Sequence, residues 1–213
     1  MPCKNPLAAM ASFLHADSGM NTPDELLALL LPAGRREAAA NPSLLALAGT
    51  LARAPSRRGP WRAPIAGLNA AELDTLIDTL FPLARPRRAL LQQWREEGEA
   101  AGRQRHDEFD DLLALLEAHQ TYPGRESHWL ARAIATASMA DNHLWQDLGL
   151  PHRAVLNTLM QTRFTALKLK NAGDMKWKKF FYRQLCEQAQ IPICKSPSCA
   201  TCTDYTACFG AEE

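Results

Sequence analysis

Apolar positions along this chain recur at three- and four-residue spacing, and almost nowhere in strict alternation, which is the periodicity of helices packed on one face. In "NAAELDTLIDTLFP", Leu73, Leu76, Ile77 and Leu80 fall on one side of a helix. Asn69 is placed to cap it, Glu72 to complete a capping box, and Pro82 to close it. "NTPDELLALLLPAG" predicts another, with Thr22 as cap, Pro23 at the first helical position, Asp24 and Glu25 at the positive end of the dipole, and Pro32 with Gly34 as the stop. Further helices are predicted over 87–98, 107–120 (Phe109, Leu112, Leu113 and Leu116 on one face), 127–150 and 152–171, with Gly149 and Gly173 punctuating ends. Residues 33–68 are weakly specified: "NPSLLALAGTLARA" reads as a short helix and "PSRRGPWRAP" as a loop. Runs of alternating Val, Ile, Thr and Tyr are missing and valines are very few, so no strand is predicted. The expected fold is all-α, organised as a flexible N-terminal lead (1–22), a helical domain (23–190) and a cysteine-rich C-terminal tail (191–213) forming a metal-cluster loop.

Composition changes this picture in one place. The 213 residues suffice for a buried core without cross-links. With 24 basic against 23 acidic residues, no overall field marks a nucleic-acid or membrane binder. No stretch of about 18 apolar residues could cross a bilayer, and "MPCKNPLAAMASFLHADSG" is too broken to read as a secretory signal. The expected compartment is therefore the cytoplasm, where crowded cysteines serve metals or catalysis more often than disulfides. Of six cysteines, five lie in the last 28 residues. Cys3 stands alone and reads as incidental.

Cys194, Cys199, Cys202 and Cys208 follow the spacing C-x4-C-x2-C-x5-C, with Pro197 inside and "IPI" before. A loop of this kind can wrap four sulfurs around one site, which a straight helix or strand cannot. Soft thiolates select zinc, copper(I) or iron–sulfur clusters. Structural zinc usually takes two separated knuckles, whereas the first three cysteines here match the C-x4-C-x2-C of plant-type iron–sulfur proteins, so spacing favours iron–sulfur over zinc. Upstream, "GDMKWKKFFYRQLC" predicts a helix capped by Asp174, with Trp177, Phe180, Phe181, Gln184 and Leu185 on one side and Lys176, Lys179 and Arg183 on another. Residues 174–195 hold five basic and two acidic side chains, a net of +3, a field that would stabilise an anionic thiolate cluster or a metal oxyanion. Cys186 reads as a buried small hydrophobe or a fifth ligand. His143 and Asp147, four apart, could pair so that the carboxylate orients the imidazole, making His143 a further candidate ligand. His15, His106, His119, His128 and His152 form no ligand pair. G-x-x-x-x-G-K, H-E-x-x-H and G-x-S-x-G are all missing.

Three stretches, "NHLWQDLGL" (142–150), "NAGDMKWKKFFYRQLC" (171–186) and the four cysteines ending in "CFG" (208–210), with "LNTLMQTRF" between them, resemble the NifQ family of nitrogen-fixation proteins. The similarity spans about residues 125–210. It implies an iron–sulfur cluster, of 3Fe–4S or 4Fe–4S type, held by Cys194, Cys199, Cys202 and Cys208, that takes up molybdenum, with molybdate as the metal source. It implies a metal-cluster carrier and donor, not an enzyme, acting in assembly of the iron–molybdenum cofactor. The implied molybdenum acceptors are the nitrogenase cofactor-assembly scaffold and the nitrogenase iron protein; neither nucleic acid nor membrane is an implied partner. Ser138 stands where some relatives are expected to carry a cysteine. The competing readings are a structural zinc module for protein interaction and a small iron–sulfur electron carrier.

Overall fold

The computed structural model describes residues 22–31, 41–102, 107–190, 199 and 202–212. The N-terminal lead through residue 21, with Cys3, and the candidate ligand Cys194 lie outside the described residues. Among those described every regular element is helical: α1 (Pro23–Leu30), α2 (Pro42–Ala52), α3 (Ala70–Leu80), α4 (Arg88–Ala101), α5 (Asp107–Ala118), α6 (Arg125–Ser138), α7 (Leu144–Asp147), α8 (Arg153–Arg163), α9 (Thr165–Lys170), α10 (Trp177–Gln188) and α11 (Tyr205–Phe209). Short 3-10 turns occupy 54–56, 59–62 and 82–87. No helix among the described residues is long and apolar enough to cross a membrane.

Two of the predicted helix starts form reciprocal caps. Thr22 accepts from the Glu25 amide at 3.3 Å while the Glu25 carboxylate accepts from the Thr22 amide at 3.2 Å. Asn69 and Glu72 repeat the arrangement at 3.0 and 2.9 Å. The helix read over 127–150 is in fact two, α6 and the single turn α7, with residues 139–143 turning the chain between them. The one read over 152–171 breaks at Phe164, which leaves helical geometry (ψ 51°) and is fully buried. In both places the apolar spacing carries on through the break, because consecutive short helices keep burying the same side of the chain.

The core is built around α2 and α6, which pack together, with α8 on α2 and α5 on α6. Both helices are rich in buried small side chains: Ala46, Ala48 and Ala52 on α2, and Ala131, Ala133, Ala135 and Ala137 on α6, none more than 1% exposed. Small residues let neighbouring elements approach closely, and the larger Leu47, Leu51, Trp129 and Ile134 of the same helices are buried with them. Thr136 stitches the loop before α3 to α6, accepting from the Ala66 amide at 2.9 Å and donating to Arg132 O at 2.7 Å.

One close approach places the region that matters below. Helix α7 ends in a Schellman turn: Gly149 N donates to Gln146 O and Leu150 N to Trp145 O, both at 2.9 Å, with Gly149 at φ +68°. This turn sits against Gly49 of α2, where an added Cβ would lie 2.1 Å from Leu148 O and 2.8 Å from Gly149 Cα. Backbone touches backbone, leaving no flexible atom to yield. Gly49→Ala is therefore expected to cost about 1–3 kcal/mol, read as a lower denaturant midpoint with an unchanged slope.

Candidate functional site

The three stretches that stood out in the sequence converge on one end of the molecule. Helix α10 buries Trp177, Phe180 and Phe181 at 1–3% exposure, as its pattern predicts, each contributing about 1.5–3 kcal/mol of apolar burial. The rings touch at centroid distances of 5.6–6.1 Å, and Lys168 Nζ stands 5.8 Å over Trp177. Trp177 Nε1 donates to Asn157 of α8 at 2.8 Å. Asp174 does not cap this helix: Lys176 is the N-cap residue, with no side-chain hydrogen bond. Asp174 sits at φ +53° in the turn before it, its carboxylate 3.3 Å from Arg153 and 3.4 Å from Lys168.

That turn explains "NAGDM". Asn171, 2% exposed, closes it from both sides, accepting from Met175 N at 2.8 Å and donating to Met175 O at 2.9 Å. Gly173 leaves room for the Phe209 ring, which would lie 3.4 Å from a Cβ there. Lys176 N donates to Cys208 O at 2.8 Å. The turn is thus a seat for α11, a helix within the segment read as loop. Cys208 and Phe209 of α11 pack against the core, while Tyr205 stacks on Phe209 at 4.6 Å from the solvent side.

His143 and Asp147 do not pair through their side chains. Asp147, 6% exposed, takes Lys178 Nζ at 2.6 Å and both the backbone N–H (3.1 Å) and side-chain amide (2.9 Å) of Asn142. Lys178 also donates to Ala140 O at 2.6 Å. Burial lowers the Lys178 pKa, opposed by its bond to Asp147 and by Asp147's charge. Arg57 lies buried behind, one nitrogen donating to Thr50 O, Ala63 O and Pro64 O at 2.9–3.1 Å. Burial pushes its guanidinium down to about 9, with Asp147's charge acting the other way, so it is a cation at neutral pH. His143 instead leads into α7, its amide donating to Gln146 Oε1 at 3.0 Å and its Nδ1 3.6 Å from Glu212. Glu212, whose side chain is 4% exposed, meets Arg153 Nη1 at 2.6 Å. No feature of the sequence singled out Arg153 or Glu212; an acidic residue in the tail reads as a solvated charge.

Among the described cysteines, Cys186, Cys199, Cys202 and Cys208 are all free thiols, and all are half-buried. Cys186 is thus half-buried where a buried small hydrophobe or a fifth ligand was expected. Cys202 N donates to Cys199 O at 3.3 Å. Arg183 is held further toward its charged form by Glu187 at 2.7 Å, burial opposing this and the Cys199 sulfur adding to it. Ser138 donates to Ile134 O at 2.8 Å at the end of α6. Among the described residues no three His, Cys, Asp or Glu side chains gather as a metal group. The donor set nevertheless suits a thiolate-ligated centre chemically: soft sulfurs outside any disulfide, one of them beside a guanidinium.

The NifQ family model matches residues 46–210, which takes in this region as far as Gly210 and leaves out Glu212. The chain belongs to the NifQ family. "Protein NifQ" of Rhodobacter capsulatus is 37% identical over 198 residues, 89% of this chain and 91% of that one. "Protein NifQ" of Azotobacter vinelandii is 40% identical over 151 residues, 68% of this chain and 77% of its own. Its Klebsiella pneumoniae namesake is 52% identical over 82 residues, 38% of this chain and 48% of its own. No solved structure matches. Membership places this chain among nitrogen-fixation proteins.

Two measurements test the electrostatics of this NifQ-family chain. Lys178→Met leaves Asp147 buried without its cation and is expected to destabilise by about 3 kcal/mol, measured by urea unfolding at pH 7. Asp174's pKa lies below its ordinary 3.8: burial opposes this, but the charges and hydrogen bonds of Arg153 and Lys168 outweigh it. A carboxylate with a depressed folded pKa stabilises above its unfolded pKa and loses that contribution as pH falls through the folded one. In unfolding titrations below pH 4, Asp174→Asn should therefore show a shallower loss of stability than the parent chain.

Proposed function

We propose that this protein is an iron–sulfur carrier that takes up molybdenum and donates it during assembly of the nitrogenase iron–molybdenum cofactor, with Cys194, Cys199, Cys202 and Cys208 as its ligands. The observation that carries the reading is the bond from Lys176 N to Cys208 O. It joins the basic aromatic helix to the cysteine segment, so the two family-typical stretches work as one unit. An anionic thiolate centre beside α10 would lie in the field of Lys176, Lys179 and Arg183, which lowers the cost of holding negative charge in a partly buried place.

The four cysteines would hold the cluster, and the bound cluster supplies sulfide ligands for molybdenum, which enters as cargo from molybdate. The protein's own residues do the rest. Cys199 and Cys202 are joined by a backbone hydrogen bond, Cys208 is anchored on the body, and Arg183 sets a positive charge beside Cys199. His143 stands 3.6 Å from Glu212, at the edge of the α11 seat, where an imidazole nitrogen could serve as an additional donor to the cargo. The tail from Thr203 to Ala207 is exposed, which suits close approach by an acceptor. The acceptors in this reading are the cofactor-assembly scaffold and the nitrogenase iron protein, the compartment is the cytoplasm, and the role is delivery, not turnover.

Anaerobically purified protein should be brown and contain iron with substoichiometric molybdenum. Cys202→Ser should lose the colour and most of both metals, by elemental analysis and paramagnetic resonance, while its thermal unfolding changes little. Zinc in colourless protein would support a structural zinc module instead, and iron that never recruits molybdenum a simple electron carrier.

A further inference from the structure

Glu212 is an acidic side chain in the tail, yet its side chain is only 4% exposed. An uncompensated carboxylate there would cost several kcal/mol; Arg153 supplies the compensation. This arginine, its side chain 18% exposed, faces two ways. Nη1 meets Glu212 at 2.6 Å. Nη2 donates to Asp174 O at 2.8 Å and Met175 O at 3.0 Å, and lies 3.3 Å from the Asp174 carboxylate. A planar guanidinium with a fixed fork can grip a carboxylate on one side and a backbone turn on the other, which a lysine cannot. One side chain of α8 thus bolts the tail beyond α11 to the very turn on which α11 sits.

The bolt acts on a ligand. Between the two points where the tail is fastened, Lys176 N to Cys208 O and Arg153 to Glu212, lie only Phe209, Gly210 and Ala211. Gly210 N closes α11 on Thr206 O at 2.8 Å, so the helix end is tight.

We propose that Arg153 and Glu212 are positioning residues: they hold the segment that carries Cys208 against the helical domain in the metal-free chain, making its thiol a preorganised ligand. The metal-related half of this proposal rests on the carrier reading, in that Cys208 must be a ligand; the fixing of Cys208 does not. Preorganising one ligand removes its ordering cost from the binding step.

The test uses the full-length, metal-free, reduced chain. Pulse labelling with N-ethylmaleimide and peptide mass spectrometry gives the alkylation rate at each cysteine. Glu212→Ala should raise the rate at Cys208 by about tenfold, reflecting more frequent local opening, with Cys199 and Cys202 changed less than about twofold on the same scale. Glu97→Ala, which removes the remote exposed partner of Arg62, should change none of them. Circular dichroism should show the helical domain folded in both variants. On anaerobic reconstitution, Glu212→Ala should acquire iron more slowly than the parent. An unchanged Cys208 rate, or an equal rise at all three thiols, would overturn the clasp. Faster Cys208 labelling with parental iron uptake would overturn its role in preorganising the ligand. A parent chain that takes up no iron would sink the carrier reading, while the labelling ratio would still decide the clasp.

Discussion

The Asp147–Lys178 pair is the interaction on which the functional end of this molecule depends. A carboxylate 6% exposed is tolerable only when its charge is met and its lone pairs are used, and here a lysine from α10 and two N–H groups of Asn142 do both. The pair connects elements that are separate in sequence. Residues 139–150 form a compact turn against α2 through the Gly49–Gly149 contact, and Lys178 pulls α10 onto that turn. Once α10 is placed, Asn171 and Gly173 put the seat for α11 where Cys208 can reach it.

This arrangement divides the labour of a basic helix that looked uniform along its length. Lys178 is spent on structure, neutralising a buried acid. Lys176 contributes its backbone amide to Cys208 O, and its side chain is half-buried. Lys179 and Arg183 remain exposed, and Arg183, locked by Glu187, is the one whose charge is felt at a cysteine. The field available to an anionic centre is therefore smaller than the net charge of the segment suggests, and more directed.

Much of the fold was legible because it rests on local chemistry. Caps at Thr22 and Asn69, the buried faces of α3 and α5, and the aromatic stripe of α10 follow from spacing and hydrogen-bonding side chains a few residues apart. What was illegible depends on partners far away in sequence. Asp174 looks like a cap but faces Arg153 and Lys168; Asp147 looks like a partner for His143 but meets Lys178; Glu212 looks solvated but is buried on Arg153. At the first two, local spacing offers an eligible partner and a stronger charge brought in by packing wins; at the third, packing supplies a partner where local spacing offers none. The cysteine spacing pointed to sulfur chemistry, whereas the seat that fixes one of those sulfurs has no signature except in hindsight, in the Asn, Gly and Asp of the turn before α10.

The seat for α11 is built wholly from residues that precede it: Arg153, Asn171, Gly173 and Lys176. On the ribosome this platform is made before the helix that will occupy it, and domains generally fold as units in the order of their synthesis. The body can thus mature before the last cysteines are added, so that docking of the terminal helix becomes a late event of biogenesis, onto a platform already made.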